Sequence, residues 1–393
     1  MARKLPRDVL ALGWVSFLAD VASEMIVALL PAFLGTLAGG GALALGLIEG
    51  FADAIASLLK LVSGTWADRL GRYRPFVVAG YALAMIAKPF MALATAAWHV
   101  ALVRSVDRSG KGLRTSPRDV LLAAAATPER RGAAFAFDRA MDHAGAVVGP
   151  LLAVGLLYWV TKDLRTIFWL SAIPGALVML CLFAFVRERP VERRSAQPLP
   201  LPLPWRAGLP PAPLVRLLVP LALFTLGNSS DLFLLLLAGE KQSSIYALPI
   251  LWMALHVVKS ATSFLGGRLV DRFGARPVIV AGWIWYALIY AGLALARSQA
   301  AIVVLVLVYG LYHGLTEGAE KALVAELAPR EQRGTWFGWF HLTVGLLAFP
   351  ASLAFGWIWQ NWSSAAAFGT GGALALAAAL LLRALRPARL SAP

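Results

Sequence analysis

The residues of this chain that could do chemistry are ionisable groups set inside otherwise apolar stretches. The stretch 99–126 holds Arg104, Asp107, Arg108, Lys111, Arg114 and Arg118. At about 100° per helical residue they occupy roughly one-third of the helix circumference. Such a stripe cannot face hydrocarbon, where a charge at a helix centre costs at least ~2.5–3.5 kcal/mol. Its groups either pair with carboxylates on neighbouring helices or meet a charged solute. Arg104, Asp107, Arg108 and Arg118, with Asp138, Arg139 and Asp142 from the next stretch, read as a structural charge network. The expected pairings are Asp107 with Arg104 or Lys111, and Asp138 and Asp142 with Arg114 or Arg118. Lys111 and Arg114 fall near mid-depth and are candidates for solute contact.

Carboxylates at similar depth offer proton chemistry. The candidates are Asp20 and Glu24, one turn apart, then Asp53, Asp231 and Glu317. A proton carrier must change charge during its cycle, and an adjacent arginine opposes protonation. Glu24 and Asp231 have no basic neighbour within their own helices, so they are better candidates than Asp107. Histidine changes charge near neutral pH, so His256 and His313 join the polar set. Asn228 and Trp252, the latter beside His256, complete the candidate cavity lining. At an offset of 202, Lys111, Thr115 and Arg118 map onto His313, Glu317 and Glu320, which share one helix face. A cationic wall opposite an acidic one suits an anionic or zwitterionic solute together with a proton.

Composition says what must hold these residues. Of 393 residues, 59% are apolar and 15% charged, against roughly 45–50% and about 25% in a soluble domain. A water-soluble enzyme, a disordered chain and a disulfide-framed chain are excluded. The net charge of +15 fits basic loops at one membrane face better than nucleic acid. The single cysteine, Cys181, rules out an intrachain disulfide and a cysteine metal cluster. Gly110-Lys111-Gly112 lacks the rest of a phosphate loop. No zincin spacing and no nucleophile–His–acid set is present. No cofactor, no metal ligand, no catalytic residue and no nucleic-acid partner is expected.

A helix crosses the hydrocarbon core with about 20 residues. Apolar runs fall at 8–37, 43–66, 75–96, 99–126, 132–160 and 165–186, then at 214–238, 246–268, 277–296, 299–328, 334–359 and 364–383. The first is not a signal peptide, since it carries Asp20 and Glu24 and lacks a small-residue cleavage site. Alternate connections are basic: Arg69, Arg72 and Arg74, then Arg130 and Arg131, then Arg187, Arg189, Arg193 and Arg194, and so on to Arg386 and Arg389. The other set holds only Lys162, Arg165, Lys241 and Arg297. Both termini are therefore expected in the cytoplasm, in a bacterial-type inner membrane. The segment 187–213, rich in Pro and Arg, favours an extended spacer. It divides a six-helix bundle at 1–186 from another at 214–393.

The halves repeat. Gly64-x-x-x-Asp68-Arg69-x-Gly71 recurs as Gly267-x-x-x-Asp271-Arg272-x-Gly274, and Arg131-Gly132 with Phe135 recurs as Arg333-Gly334 with Phe337. Two repeated six-helix bundles put a site near the midplane, as in rocking secondary transporters.

Gly64-Thr-Trp-Ala-Asp68-Arg69-Leu-Gly71-Arg72-Tyr-Arg74 resembles the G-x-x-x-D-R-x-G-R-x-R loop motif of the major facilitator superfamily, and the likeness covers essentially the whole chain. Arg104-Ser-Val-Asp107-Arg108-Ser-Gly110 resembles that family's fourth-helix motif, with Asp107 in place of Gln. Gly145-x-x-x-Gly149-Pro150 resembles part of its antiporter motif, with Ala153 and Val154 where paired glycines are expected. The resemblance implies an all-α membrane protein with twelve transmembrane helices in two pseudo-symmetric six-helix bundles, acting as a monomer. It implies that Asp68 faces the start of the eleventh helix near Gly334, and Asp271 the start of the fifth near Gly132. Gly64, Asp68, Arg69, Gly71, Arg72, Asp271 and Arg272 would then form a gate.

The expected function is alternating-access transport of a small charged organic solute, by proton-coupled efflux. The alternative is a proton-coupled uptake symporter of an anionic metabolite. A non-transporting membrane enzyme or sensor is the remote third. The solute, a proton and the lipid bilayer are the expected partners.

Overall fold

The computed structural model describes residues 5–38, 42–188, 212–239 and 247–385. Within them the chain is helical, apart from turns and an isolated bridge between Ala38 and Ala96. The expected crossings form, but four that read as continuous in sequence are interrupted. The first comprises α1 (Arg7–Val27) and α2 (Leu30–Gly35). Pro31, at the start of α2, has no N–H to continue the preceding helix. The second is α3 (Ala42–Leu70). The third, α4 (Arg74–Ala87), tightens into a 3-10 segment over Lys88–Leu93, where Pro89 enters. The fourth and fifth are α5 (Ala97–Ala125) and α6 (Arg131–Trp159). The sixth divides at Ser171 into α7 (Leu164–Leu170) and α8 (Ala172–Phe185).

The seventh crossing is α9 (Ala212–Gly227) and α10 (Leu232–Gly239), with Asn228, Ser229, Ser230 and Asp231 unwound between them. These short polar side chains compete with the backbone for helical hydrogen bonds. Five more helices follow: α11 (Ala247–Phe273), α12 (Ala275–Leu295), α13 (Gln299–Leu327), α14 (Arg333–Asn361) and α15 (Ser364–Ala384). Among the described residues, eight segments are long and apolar enough to cross a membrane. α5 is equally long and carries the charged stripe.

The chain forms two compact units. The first is Met1–Ala126, Met141–Gly208 and Pro329–Leu342; the second is Thr127–Ala140, Leu209–Ala328 and Thr343–Pro393. The opening turns of α14 thus belong to the first unit and those of α6 to the second. Of the spacer expected at 187–213, residues 189–211 lie outside the described residues.

In the first unit α3 and α4 pack on α5, and α1 packs on α8. Gly80 and Gly110 meet backbone to backbone, and a Cβ on either would overlap the other's carbonyl oxygen. In the second unit α11 and α12 pack on α13, and α12 and α9 on α15. There Gly266 of α11 approaches the backbone of Gly314 of α13 as closely. Gly71 and Gly274 have φ of 60° and 85°. Both motif copies therefore turn through a conformation open to glycine at no steric cost.

Candidate functional site

The charged stripe of α5 is the centre of the first unit's polar cluster. Glu49 of α3 receives Arg104 in two bonds, from Nε at 2.6 Å and Nη2 at 2.7 Å. Arg108 adds a bond from Nη2 to Glu49 at 3.1 Å, and its Nε forms an ion pair with Asp53 at 3.2 Å. Asp107 lies between Lys88 Nζ at 2.5 Å and Arg104 Nη1 at 3.2 Å. Lys88, Arg104 and Asp107 are all buried. Further along the stripe, Arg118 donates to Ser16 and lies 4.0 Å from Asp142. Each of these cations has an acid, as the cost of burying an unpaired charge requires.

Two cations on the same helix have none among the described residues. Arg114, 8% exposed, lies with its guanidinium 4.1 Å over the Tyr81 ring, and its Nη1 is buried without a hydrogen-bond partner. The close approach of α4 at Gly80 puts that ring there. Lys111 is exposed, and its side chain makes no hydrogen bond or ion pair among the described residues. Its charged surroundings are Arg108, Asp20, Arg114 and Asp53. Glu24 likewise makes no side-chain hydrogen bond or ion pair among the described residues, and it has Lys111, Arg108 and Arg104 as cationic neighbours. Gly145 and Gly149 of α6 press on this acidic face of α1. A Cβ on Gly145 would strike Asp20, and one on Gly149 would strike Glu24.

At one end of the first unit, Asp68 fills the N-terminus of α14. Its Oδ1 accepts from Gly334 N at 2.8 Å and Tyr73 Oη at 2.8 Å. Its Oδ2 accepts from Thr335 N at 2.6 Å and Thr335 Oγ1 at 2.8 Å. Orphan N–H groups and the helix dipole both favour an anion there. Gly64 makes the approach close enough, since a Cβ would overlap the Gly334 carbonyl. Two turns further along α14, His341 Nε2 lies 2.7 Å from the fully buried Asp119 of α5. Arg72 and Arg272, beside the two motif aspartates, are exposed, and Arg69 is half-buried. In the second unit Asp271 is exposed and accepts from Ala133 N at 3.2 Å, at the start of α6.

The second unit's cluster is built on the break between α9 and α10. Asp231 receives Lys259 Nζ at 2.6 Å and Tyr309 Oη at 2.7 Å, with His313 Nε2 at 3.6 Å. His313 Nδ1 lies 2.8 Å from Glu317. Asn228 donates to Tyr312 at 3.3 Å, and Tyr286 donates to the Gly227 carbonyl at 3.0 Å. The unwound backbone is thus held by tyrosines. Glu320 accepts from Trp283 Nε1 at 3.1 Å, while the indole stacks on Phe224. Trp252, His256 and Lys259 share a face of α11: the two rings meet edge to face at 4.9 Å, and Lys259 Nζ lies 5.8 Å over Trp252.

Of the alternative pairings expected, Asp107 takes Arg104, with Lys88 added from the end of α4, and Asp142 takes Arg118. Asp138 also receives its neighbour Arg139 at 3.2 Å. Arg114 lies over the Tyr81 ring. Asp231, with no base in its own helix, has Lys259 from α11; the sequence argument looked along one helix and missed a partner across two. Glu49, Lys88, Lys259, Asp119, His341 and the tyrosines of α12 and α13 were outside the candidate set. The spacing of 252, 256 and 259 by four and three marks one helix face and could have flagged Lys259.

A helical membrane fold with buried charge clusters and repeated loop motifs defines a polytopic transporter class. The Major Facilitator Superfamily profile matches residues 12–258 and 243–393. The chain belongs to that superfamily. It is 33% identical to the MFS-type transporter MJ1317 of Methanocaldococcus jannaschii, over 97% of this chain and 95% of that one. It is 27% identical to the multidrug resistance protein MdtH of Cronobacter sakazakii, over 82% and 79% respectively. Its fold matches the human organic anion transporter MFSD10 with a TM-score of 0.81 at 18% identity, covering 96% of this chain and 99% of that one.

Proposed function

We propose that this membrane transporter moves a small anionic or zwitterionic organic solute by alternating access, coupled to protons. The observation that carries this is the pair Lys111 and Arg114, cations without carboxylate partners on a helix whose other charges are matched. A carboxylate or phosphate on the solute supplies the missing partner. Glu24, unpaired and beside Lys111, carries the proton. Efflux is supported by the resemblance to MdtH and by Gly145 and Gly149 packing on the Asp20–Glu24 face. The protein works as a monomer in the inner membrane with both termini cytoplasmic, and Asp68 and Asp271 latch that face.

One observation favours proton symport. Protonating Glu24 removes a negative charge next to Lys111, which strengthens the binding of an anion rather than opposing it. Everted vesicles holding an imposed proton gradient separate the two. Adding the transported solute dissipates the gradient by antiport, and proton movement in the solute's own direction shows symport. For solute recognition itself, purified protein should be thermally stabilised by an anionic solute, and Lys111→Ala should abolish that shift. Stabilisation that survives Lys111→Ala together with Arg114→Gln removes the basis of the proposal.

A further inference from the structure

One groove in the first unit is lined by residues away from the α5 stripe. A groove of about 820 Å³ runs between the first turns of α1 and the last turns of α8. Leu10, Ala11, Trp14, Ala184 and Phe185 make its apolar walls, and Trp14 and Phe185 are 52% and 61% exposed. Arg7 and Arg187 stand at its end; both are exposed, and neither side chain makes a hydrogen bond or ion pair among the described residues. Two carboxylates also line the groove, and both have partners. Glu188 accepts from the backbone N–H groups of Tyr73 and Arg74 at 3.0 and 2.9 Å, and Asp8 has an interaction of its own.

We propose that this groove binds an anionic phospholipid, with its phosphate on Arg7 and Arg187 and its acyl chain along Trp14, Leu10 and Phe185. An apolar groove on the flank of a membrane-spanning helix pair opens to lipid, and basic pockets at the ends of such helices suit acidic headgroups. The charge pattern argues against the chain covering the site itself. The segment that follows Glu188 carries Arg189, Arg193, Arg194 and Arg206 against Glu192, and Arg3 and Lys4 precede Arg7. Both flanking stretches are net basic in sequence, the same sign as the two guanidinium groups. A lipid bound here joins α8 to α1, the helix that bears Asp20 and Glu24.

Cys181, the chain's one cysteine, lines the same groove and is a built-in reporter. The full chain is placed in phosphatidylcholine nanodiscs with and without phosphatidylglycerol, and the rate of Cys181 modification by N-ethylmaleimide is measured. Phosphatidylglycerol should slow it severalfold, and Arg7→Gln with Arg187→Gln should remove the slowing. Native mass spectrometry should find a retained phosphatidylglycerol on the wild type that the double variant lacks. Equal rates in the two lipids overturn the proposal, as does slowing that persists in the double variant. Soluble glycerol phosphate that slows the reaction equally in pure phosphatidylcholine also overturns it, because the site then reads a free phosphate.

Discussion

The two units bury charge with different chemistry at corresponding positions. On α5, Asp107 is held by Lys88 and Arg104, and at the same register α13 has Tyr309, which donates to Asp231. Arg114 corresponds to Thr316, and Glu49 and Asp53 on α3 correspond to Trp252 and His256 on α11. Arg118-Asp119 becomes Glu320-Lys321, with the charge order reversed. The first unit is a lattice of arginines and acids that leaves Lys111 and Arg114 unmatched. The second gathers its ligands on one carboxylate at a helix break and surrounds it with phenols. A repeat that keeps its helices while exchanging ion pairs for aromatic rings can give its halves separate duties. On this reading the first unit recognises charge and the second holds a bent helix.

The sharpest break of that comparison is to remove the central carboxylate of each cluster. Asp231→Asn leaves Lys259, 3% exposed, with no carboxylate, a situation that costs about 3–5 kcal/mol. Replacing Lys259 by Met in the same chain should recover most of the loss. Glu49→Gln should cost less, because Arg104 keeps Asp107 and Arg108 keeps Asp53. Thermal unfolding in detergent reads both. Equal losses would mean that the first unit's lattice has no redundancy.

The next effect is on binding. Lys111→Ala should weaken an anionic solute by roughly one to two orders of magnitude, since a hydrogen bond to a charged group contributes about 1.5–3 kcal/mol. A neutral analogue should be unaffected. Arg114→Lys should keep part of the affinity, because it retains the charge and loses the planar contact with Tyr81. His313→Gln, in the second unit, should change anion affinity little. Isothermal titration with paired charged and neutral solutes decides it. If His313→Gln matches Lys111→Ala, the division of duties is wrong.

Much of the fold was legible because its signals are local. Apolar length, loop arginines and the repeated Gly64–Gly71 and Gly267–Gly274 motifs need no knowledge of packing. The stripe on α5 was equally plain, since helical periodicity follows from numbering alone. Its partners were not. Lys88 meets Asp107 where a 3-10 segment ends α4, and Glu49 meets Arg104 across two helices. Which of several cations goes unpaired depends on how closely backbones approach, here at Gly80, and no residue spacing encodes that. The break at Asn228–Asp231 was missed for the opposite reason. The flanking leucines are so apolar that four polar residues did not interrupt the run.

The smallest effects should come from the two motif aspartates, which are copies in sequence and unequal in structure. Asp68 takes backbone donors from Gly334 and Thr335 and hydroxyls from Thr335 and Tyr73, while Asp271 is exposed and accepts from Ala133 at 3.2 Å. A carboxylate at a helix N-terminus is worth typically 0.3–1 kcal/mol when exposed and up to ~2 kcal/mol when partly buried. Asp271→Asn should therefore fall in the lower range and Asp68→Asn near the upper. An amide can still accept one backbone N–H, but its NH₂ must then face the other donors. Because neither residue belongs to the α5 cluster, solute affinity in detergent should hold in both variants while transport slows, more for Asp68. Flux and affinity measured on one preparation test this. Equal slowing would show that the hydrogen-bond inequality does not govern the cycle, and lost affinity in Asp68→Asn would tie this helix end to the solute site.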